Sequence, residues 1–308
     1  MLWVMLSLVV AAGLAPWLYQ AGNHLARATA AGDLPAILEW LGAACGRAEF
    51  SRFFSRSLLL AALLTMPMLF WRIRMVRAAS AGRVDSCVRV GWGPALIQIA
   101  VGCVIAAGML WALGLLLKGQ GAFILKPNSL GFGKLMGKIL VPALVVPPLE
   151  EWLIRGVLLG MWLKFARPLA ACVGTSLFFA FIHFLKPPDG WVIADPASPL
   201  AGFELLGKVL LHFTNPQFFV TDFATLFLGG MILAWARVRT NALWFSIGLH
   251  AGWIAGFKAF NQLYQPAERH LWGIGETFSG IFPMVTLGLT AVACHFALRR
   301  FETQRAIG

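Results

Sequence analysis

Long apolar runs recur along this chain, and no other feature limits its fold as strongly. A helix needs about 17 to 25 such residues to cross ~30 Å of hydrocarbon at ~1.5 Å per residue. Eight candidates are visible, at Leu2–Tyr19, Ser57–Trp71, Gly93–Leu117, Leu135–Leu163, Leu169–Leu185, Phe218–Trp235, Leu243–Phe260 and Ile281–Leu298. Lipid offers no partner to a bare N–H or C=O, so these segments must satisfy their backbone internally as α-helices. The expected fold is therefore all-α, a multi-pass membrane protein with about eight spans.

Composition agrees: of 308 residues, 59% are hydrophobic and 12% charged, which excludes an ordinary soluble domain. The first run lacks a basic flank and a small-residue cleavage site, so it reads as a retained helix and not a signal peptide. No linker or repeat divides the sequence. It is expected to form one membrane domain over 1–308: a three-helix part (1–130), a chemistry-bearing core (131–260), and a last helix with a cytoplasmic tail (261–308).

The net charge of +12 raises the question of nucleic acid, and its placement answers it. Alternate connections and the C-terminus hold twelve Lys and Arg, including Arg237 and Arg239, against only Asp85 and Glu302. The opposite connections hold twelve, including Lys186 and Arg269, against nine acidic residues. This is the positive-inside pattern. It puts both termini in the cytoplasm and gives no reason to expect a nucleic-acid partner; the lipid bilayer is the expected surrounding. Cys45, Cys87, Cys103, Cys172 and Cys294 show no paired spacing and read as small core residues.

Against this apolar background, Glu150, Glu151 and Arg155 stand out within the fourth run. An ionisable side chain at mid-bilayer costs at least ~2.5–3.5 kcal/mol, so such a cluster is a functional-site hypothesis by default. Glu151 and Arg155 are spaced i, i+4 and can neutralise each other on one face. Glu150 lies about 100° around the helix, with no cation in local reach, and is left to handle protons. Pro147 and Pro148 withhold N–H donors just before it, and Gly156 and Gly160 allow close helix contact.

His183 and His250 fall at depths comparable with Glu150 on other helices, so the three are expected to converge on one wet cavity. There a carboxylate can take a proton from water, one imidazole can orient the nucleophile and the other can support an oxyanion. No serine or cysteine nucleophile motif, HExxH or nucleotide loop is present. The chemistry calls for no metal and no cofactor, although a zinc site from Glu150, His183 and His250 is chemically open.

Three motifs occur in order: Glu150-Glu151-x-x-x-Arg155; Phe179-x-x-x-His183; and Leu228-Gly229-Gly230 running through Asn241 to Gly248-Leu249-His250-Ala251-Gly252-Trp253. Over residues 135–260 the chain resembles the CAAX prenyl endopeptidase and bacteriocin-processing family of glutamic intramembrane proteases. The resemblance implies an eight-helix fold in which Glu150 activates water with His183, while His250 serves the oxyanion. Glu151, Arg155 and Phe179 match the supporting positions. One departure is Ile254, where the family usually has Asn or Asp; Trp253 and Ser246 are the candidate substitutes for that donor.

The reading is thus a membrane protease acting on a membrane-associated peptide or protein, in a bacterial plasma membrane. The competing classes are a non-catalytic immunity or binding protein of the same fold, a zinc-dependent membrane protease and a proton-coupled transporter.

Overall fold

A computed structural model describes residues 2–32, 35–79, 90–127, 132–185, 191–267 and 280–306. Cys87, Asp85, Lys186 and Arg269 lie outside the described residues. Helices dominate: α1 (Leu2–Ala30), α2 (Ala36–Gly46), α3 (Phe50–Ala79), α4 (Trp92–Gly119), α5 (Phe132–Glu151) and α6 (Leu159–Trp162), then α7 (Pro168–His183), α8 (Ala201–His212), α9 (Pro216–Phe218), α10 (Ala224–Thr240), α11 (Trp244–Leu263) and α12 (Ile281–Ala306). Two π-helical segments, Trp152–Leu158 and Phe219–Phe223, join α5 to α6 and α9 to α10.

Among the described residues, four helical stretches are long and apolar enough to span a bilayer: Met5–Thr29, Trp92–Gly119, Pro216–Thr240 and Ile281–Phe301. They coincide with the first, third, sixth and eighth expected runs. The other runs also fold as helix, with weaker credentials. Residues 168–183 form a helix of only 16 residues, α3 carries arginines near both ends, and the fourth run is divided by its own charged cluster. The chain is an all-α helical membrane protein.

Internal contacts divide the chain into two units, Met1–Val84 with Ile182–Asn215, and Asp85–Phe181 with Pro216–Gly308. In the first, α8 packs on α1 so closely that a Cβ on Gly202 would fall 1.9 Å from the Ala12 carbonyl oxygen. Helix α8 is amphipathic: Leu205 and Val209 are buried, and Glu204 pairs with Lys208 at 2.9 Å on the exposed side.

The second unit is built on the packing of α4 against α11. Gly248, Gly252 and Gly256 recur every four residues on one face of α11, and meet Ile99, Cys103 and Ala107 of α4 in the same order. The two helices therefore run parallel. A Cβ at Gly248 would lie 2.3 Å from the Ile99 carbonyl oxygen, and one at Gly252 would lie 2.4 Å from that of Cys103. Small residues let backbones approach this closely, which is how helices associate where lipid removes the hydrophobic drive. Leu233 and Ala236 of α10, Phe245 and Leu249 of α11, and Cys294 and Leu298 of α12 close the core around Ala106.

Beyond α4 and α11 the chain forms a short antiparallel ladder absent from the all-helical expectation. Strands β1 (Phe123–Leu125) and β2 (Tyr264–Pro266) pair Phe123 with Pro266 and Leu125 with Tyr264. Lys126 donates from Nζ to the Asn261 carbonyl, and Phe260 packs edge-on against Phe123 at 5.1 Å. The ladder ties together the ends of the two helices.

Candidate active site

The site begins where α5 ends. Pro147 and Pro148 leave the carbonyls of Ala143 and Leu144 without their i→i−4 donors. The helix persists through them, and then widens into the π-helical segment that carries Arg155. The Leu159 N–H bonds back to the Ile154 carbonyl, five residues earlier. Such π segments often occur at functional sites. Here it follows directly on the two carboxylates.

Those carboxylates have different surroundings although they are neighbours in sequence. The Glu151 side chain is 0% exposed, as is that of Arg155, and Arg155 Nη1 donates to Glu151 Oε1 at 2.8 Å. The i, i+4 pairing expected from sequence is thus present. The side chain of Glu150 is 33% exposed. It is the less buried of the two carboxylates, with its Oε2 enclosed within the protein.

His250 stands between them. Its Nδ1 lies 2.9 Å from Glu151 Oε1, and its Nε2 lies 3.8 Å from Glu150 Oε2. The glycine face of α11 fixes this position, since His250 lies two residues, about 200°, from both Gly248 and Gly252. Backbone contact with α4 on one side therefore drives the imidazole toward α5 on the other. Ser246, one turn earlier, donates its hydroxyl to the Leu233 carbonyl at 3.0 Å and secures α11 to α10.

Arg155 has further fixed contacts. Its guanidinium carbon sits 4.2 Å from the centre of the Phe179 ring, and Nη2 donates to the Gly230 carbonyl at 3.3 Å. The same ring meets His250 edge-on at 6.1 Å and 85°. Phe179 thus offers its face to the cation and stands nearly perpendicular to the imidazole, both favourable arrangements for a ring quadrupole. Gly230 is needed here because a Cβ would press to 3.2 Å against Ser176 Cβ and 3.4 Å against Phe179.

Five of the sequence-predicted residues are therefore brought together: Glu150, Glu151, Arg155, Phe179 and His250. His183 is the exposed last residue of α7 and falls in the unit with residues 182–215. Its partnership with Glu150 comes from the resemblance. The hydroxyl of Ser246 is engaged between α10 and α11, and Trp253 packs among apolar side chains of the core. Ile254, one turn beyond His250, is partly buried. Among the described residues, no three His, Cys, Asp or Glu side chains are grouped to hold a metal ion.

Two expectations from sequence change. Gly156 approaches Leu243 Cδ1 at 3.4 Å, but Gly160 meets nothing within 4 Å, so this GxxxG is not a tight helix seam. Arg237, counted with the inner surface charges, is buried at 1% exposure. Its Nη1 donates to Asn241 Oδ1 at 2.7 Å, holding a residue whose φ of 51° ends α10 in the left-handed region. Asn tolerates that conformation better than most residues. The Asn241 signal was present in the third motif, but nothing local to Arg237 distinguishes it from a surface charge.

In comparisons with known proteins, residues 132–255 match the family described as Type II CAAX prenyl endopeptidase Rce1-like. No curated protein and no solved structure matches the chain. The matched stretch contains all five of the assembled residues and Ile254.

Proposed function

From the membership of residues 132–255 in the CAAX prenyl endopeptidase family, we propose that this protein is an intramembrane glutamic endopeptidase that cleaves a membrane-associated peptide or protein. The observation that carries the reading is the division between the carboxylates: the Glu150 side chain is half-buried and turns its Oε2 toward His250 Nε2, whereas Glu151 is sealed against Arg155 and Nδ1. One acid is left less enclosed, and the other holds the frame.

In this reading the Glu150 carboxylate takes a proton from water, with His183 helping to orient it, and the hydroxide attacks the scissile carbonyl. His250 supports the negative charge that develops on the carbonyl oxygen. Glu150 then returns its proton to the leaving nitrogen as the C–N bond breaks. Proton transfer by a positioned group contributes ~10²–10⁴-fold. A donor aimed at the oxyanion contributes ~10²–10³-fold.

The basic asymmetry of the connections supports eight crossings with both termini in the cytoplasm, in a bacterial plasma membrane. Comparing the protein termini in membranes holding the wild type or Glu150→Gln tests the function. New termini that require Glu150 are expected, with cleavage unaffected by a chelator; identical termini would defeat the proposal. Zinc-restored inhibition by the chelator would move the mechanism to a metalloprotease.

One observation favours a second reading. Ile254 places hydrocarbon on the His250 face where relatives usually supply a donor, which suits a binding or immunity protein that has kept the fold without turnover. Function retained in cells by the Glu150→Ala, His183→Ala double variant would select it.

A further inference from the structure

The last turns of α10 and α12 lie away from the candidate active site and carry a chemistry of their own. Gly280 donates its N–H to Thr225 Oγ1 at 3.4 Å where the two helices begin, and Trp235 meets His295 near where they end, so the helices run in the same direction. Their C-terminal ends therefore lie together. Residues 235–243 and 295–308 hold five arginines, Arg237, Arg239, Arg299, Arg300 and Arg305, and one acidic residue, Glu302. One carboxylate neutralises one arginine, so this end keeps an excess of positive charge whichever of them Glu302 pairs with.

Aromatic rings hold two of these arginines. The Arg239 guanidinium carbon lies 5.5 Å from the centre of the Trp235 ring, and Trp235 is stacked on His295 at 6.0 Å with the planes 10° apart. His295 meets Phe296 edge-on at 5.7 Å, and the Arg299 guanidinium carbon lies 6.0 Å from the centre of the Phe296 ring. Arg239 and Arg299 thus end one continuous series of ring contacts. Stacking on a ring engages the face of a guanidinium, and its fork of N–H donors matches the oxygens of a phosphate.

An apolar stripe leads to this cluster. Ile281, Val285, Leu289, Val292 and Phe296 are exposed, at spacings of three and four that keep them on one face of α12, while Thr290, Cys294 and Leu298 are buried on the other. Arg299 comes next on the exposed face. From Ile281 to Arg299 the helix rises about 27 Å, close to the ~30 Å of hydrocarbon, so the stripe ends where headgroups begin.

We propose that Arg239 and Arg299, with Trp235 and His295 between them, bind the headgroup phosphate of an anionic phospholipid whose acyl chain lies along the Ile281–Phe296 face of α12. Charge complementarity selects lipid over a second copy of the chain. A two-fold contact between copies in one membrane would set this arginine-rich end against itself.

Native mass spectrometry of the purified full chain with phosphatidylglycerol and phosphatidylcholine of matched acyl chains tests the site. Wild type should prefer phosphatidylglycerol and hold it ~30-fold more strongly than the Arg239→Gln, Arg299→Gln double variant, at about fivefold per arginine near a membrane surface, whereas the same charge change in Arg47→Gln, Arg52→Gln should leave retention within ~2-fold. Equal retention of the two lipids by wild type, or an equal loss in both double variants, overturns the proposal. So does a dimer that carries no lipid. A photoactivatable phosphatidylglycerol locates the site without any substitution: labelling of wild type is expected within residues 281–300, and labelling confined to other segments overturns it.

Discussion

Among the described residues two arginines are fully buried, and their surroundings differ. Arg155 meets a carboxylate, a carbonyl and the face of an aromatic ring, in a π-helical segment beside a second carboxylate and a histidine. Arg237 meets the neutral side-chain oxygen of Asn241, at the turn between α10 and α11. The first cation organises groups that can move protons. The second stabilises a turn. Burial of charge alone therefore does not mark chemistry in a membrane helix; the company of ionisable partners does.

Removing each arginine sharpens this contrast. Arg155→Ala leaves the buried Glu151 carboxylate with His250 but without its guanidinium, and stability should fall by about 3–5 kcal/mol with cleavage lost. Thermal unfolding in detergent, run beside the cleavage assay, reads both effects; a stable and active variant would dissolve the distinction. Arg237→Ala should cost about 1–3 kcal/mol, the range for leaving one buried polar partner unsatisfied. Its activity per folded molecule should stay within ~3-fold of wild type, since this side chain touches none of the reacting groups.

A smaller effect is expected at the turn itself. Asn241→Gly keeps the left-handed φ at no steric cost and loses only the acceptor for Arg237, so it should destabilise by about 1 kcal/mol. Asn241→Val should be clearly worse, since β-branched residues are outliers at positive φ. Equal unfolding temperatures for the two variants would show that the backbone conformation at residue 241 is not what the arginine protects.

What could be read from the sequence was what depends on local spacing. Glu151 and Arg155 pair because they are one turn apart, and the apolar runs fold as helices because lipid permits little else. The contact from Glu151 to His250 joins residues 99 positions apart, so helical spacing could not reveal it. Sequence reading kept His250 for Glu150; the structure puts it in contact with both carboxylates, nearer to Glu151. The glycine ladder of α11 lay within a quoted motif, but only a partner helix shows that Gly248 and Gly252 are seams and that Gly160 is not. Arg237 is legible as a charge near a helix end, whereas its burial and its bond to the left-handed Asn241 are visible only in the fold.

The central claim is that adjacent carboxylates divide the labour, with Glu150 moving the proton and Glu151 holding the imidazole. Turnover of one Glu150-dependent substrate by purified Glu150→Gln and Glu151→Gln, both shown to be folded, tests it most directly. The account predicts no cleavage above background for the first and a rate reduced but measurable for the second. Wild-type turnover by the Glu150 variant would contradict it.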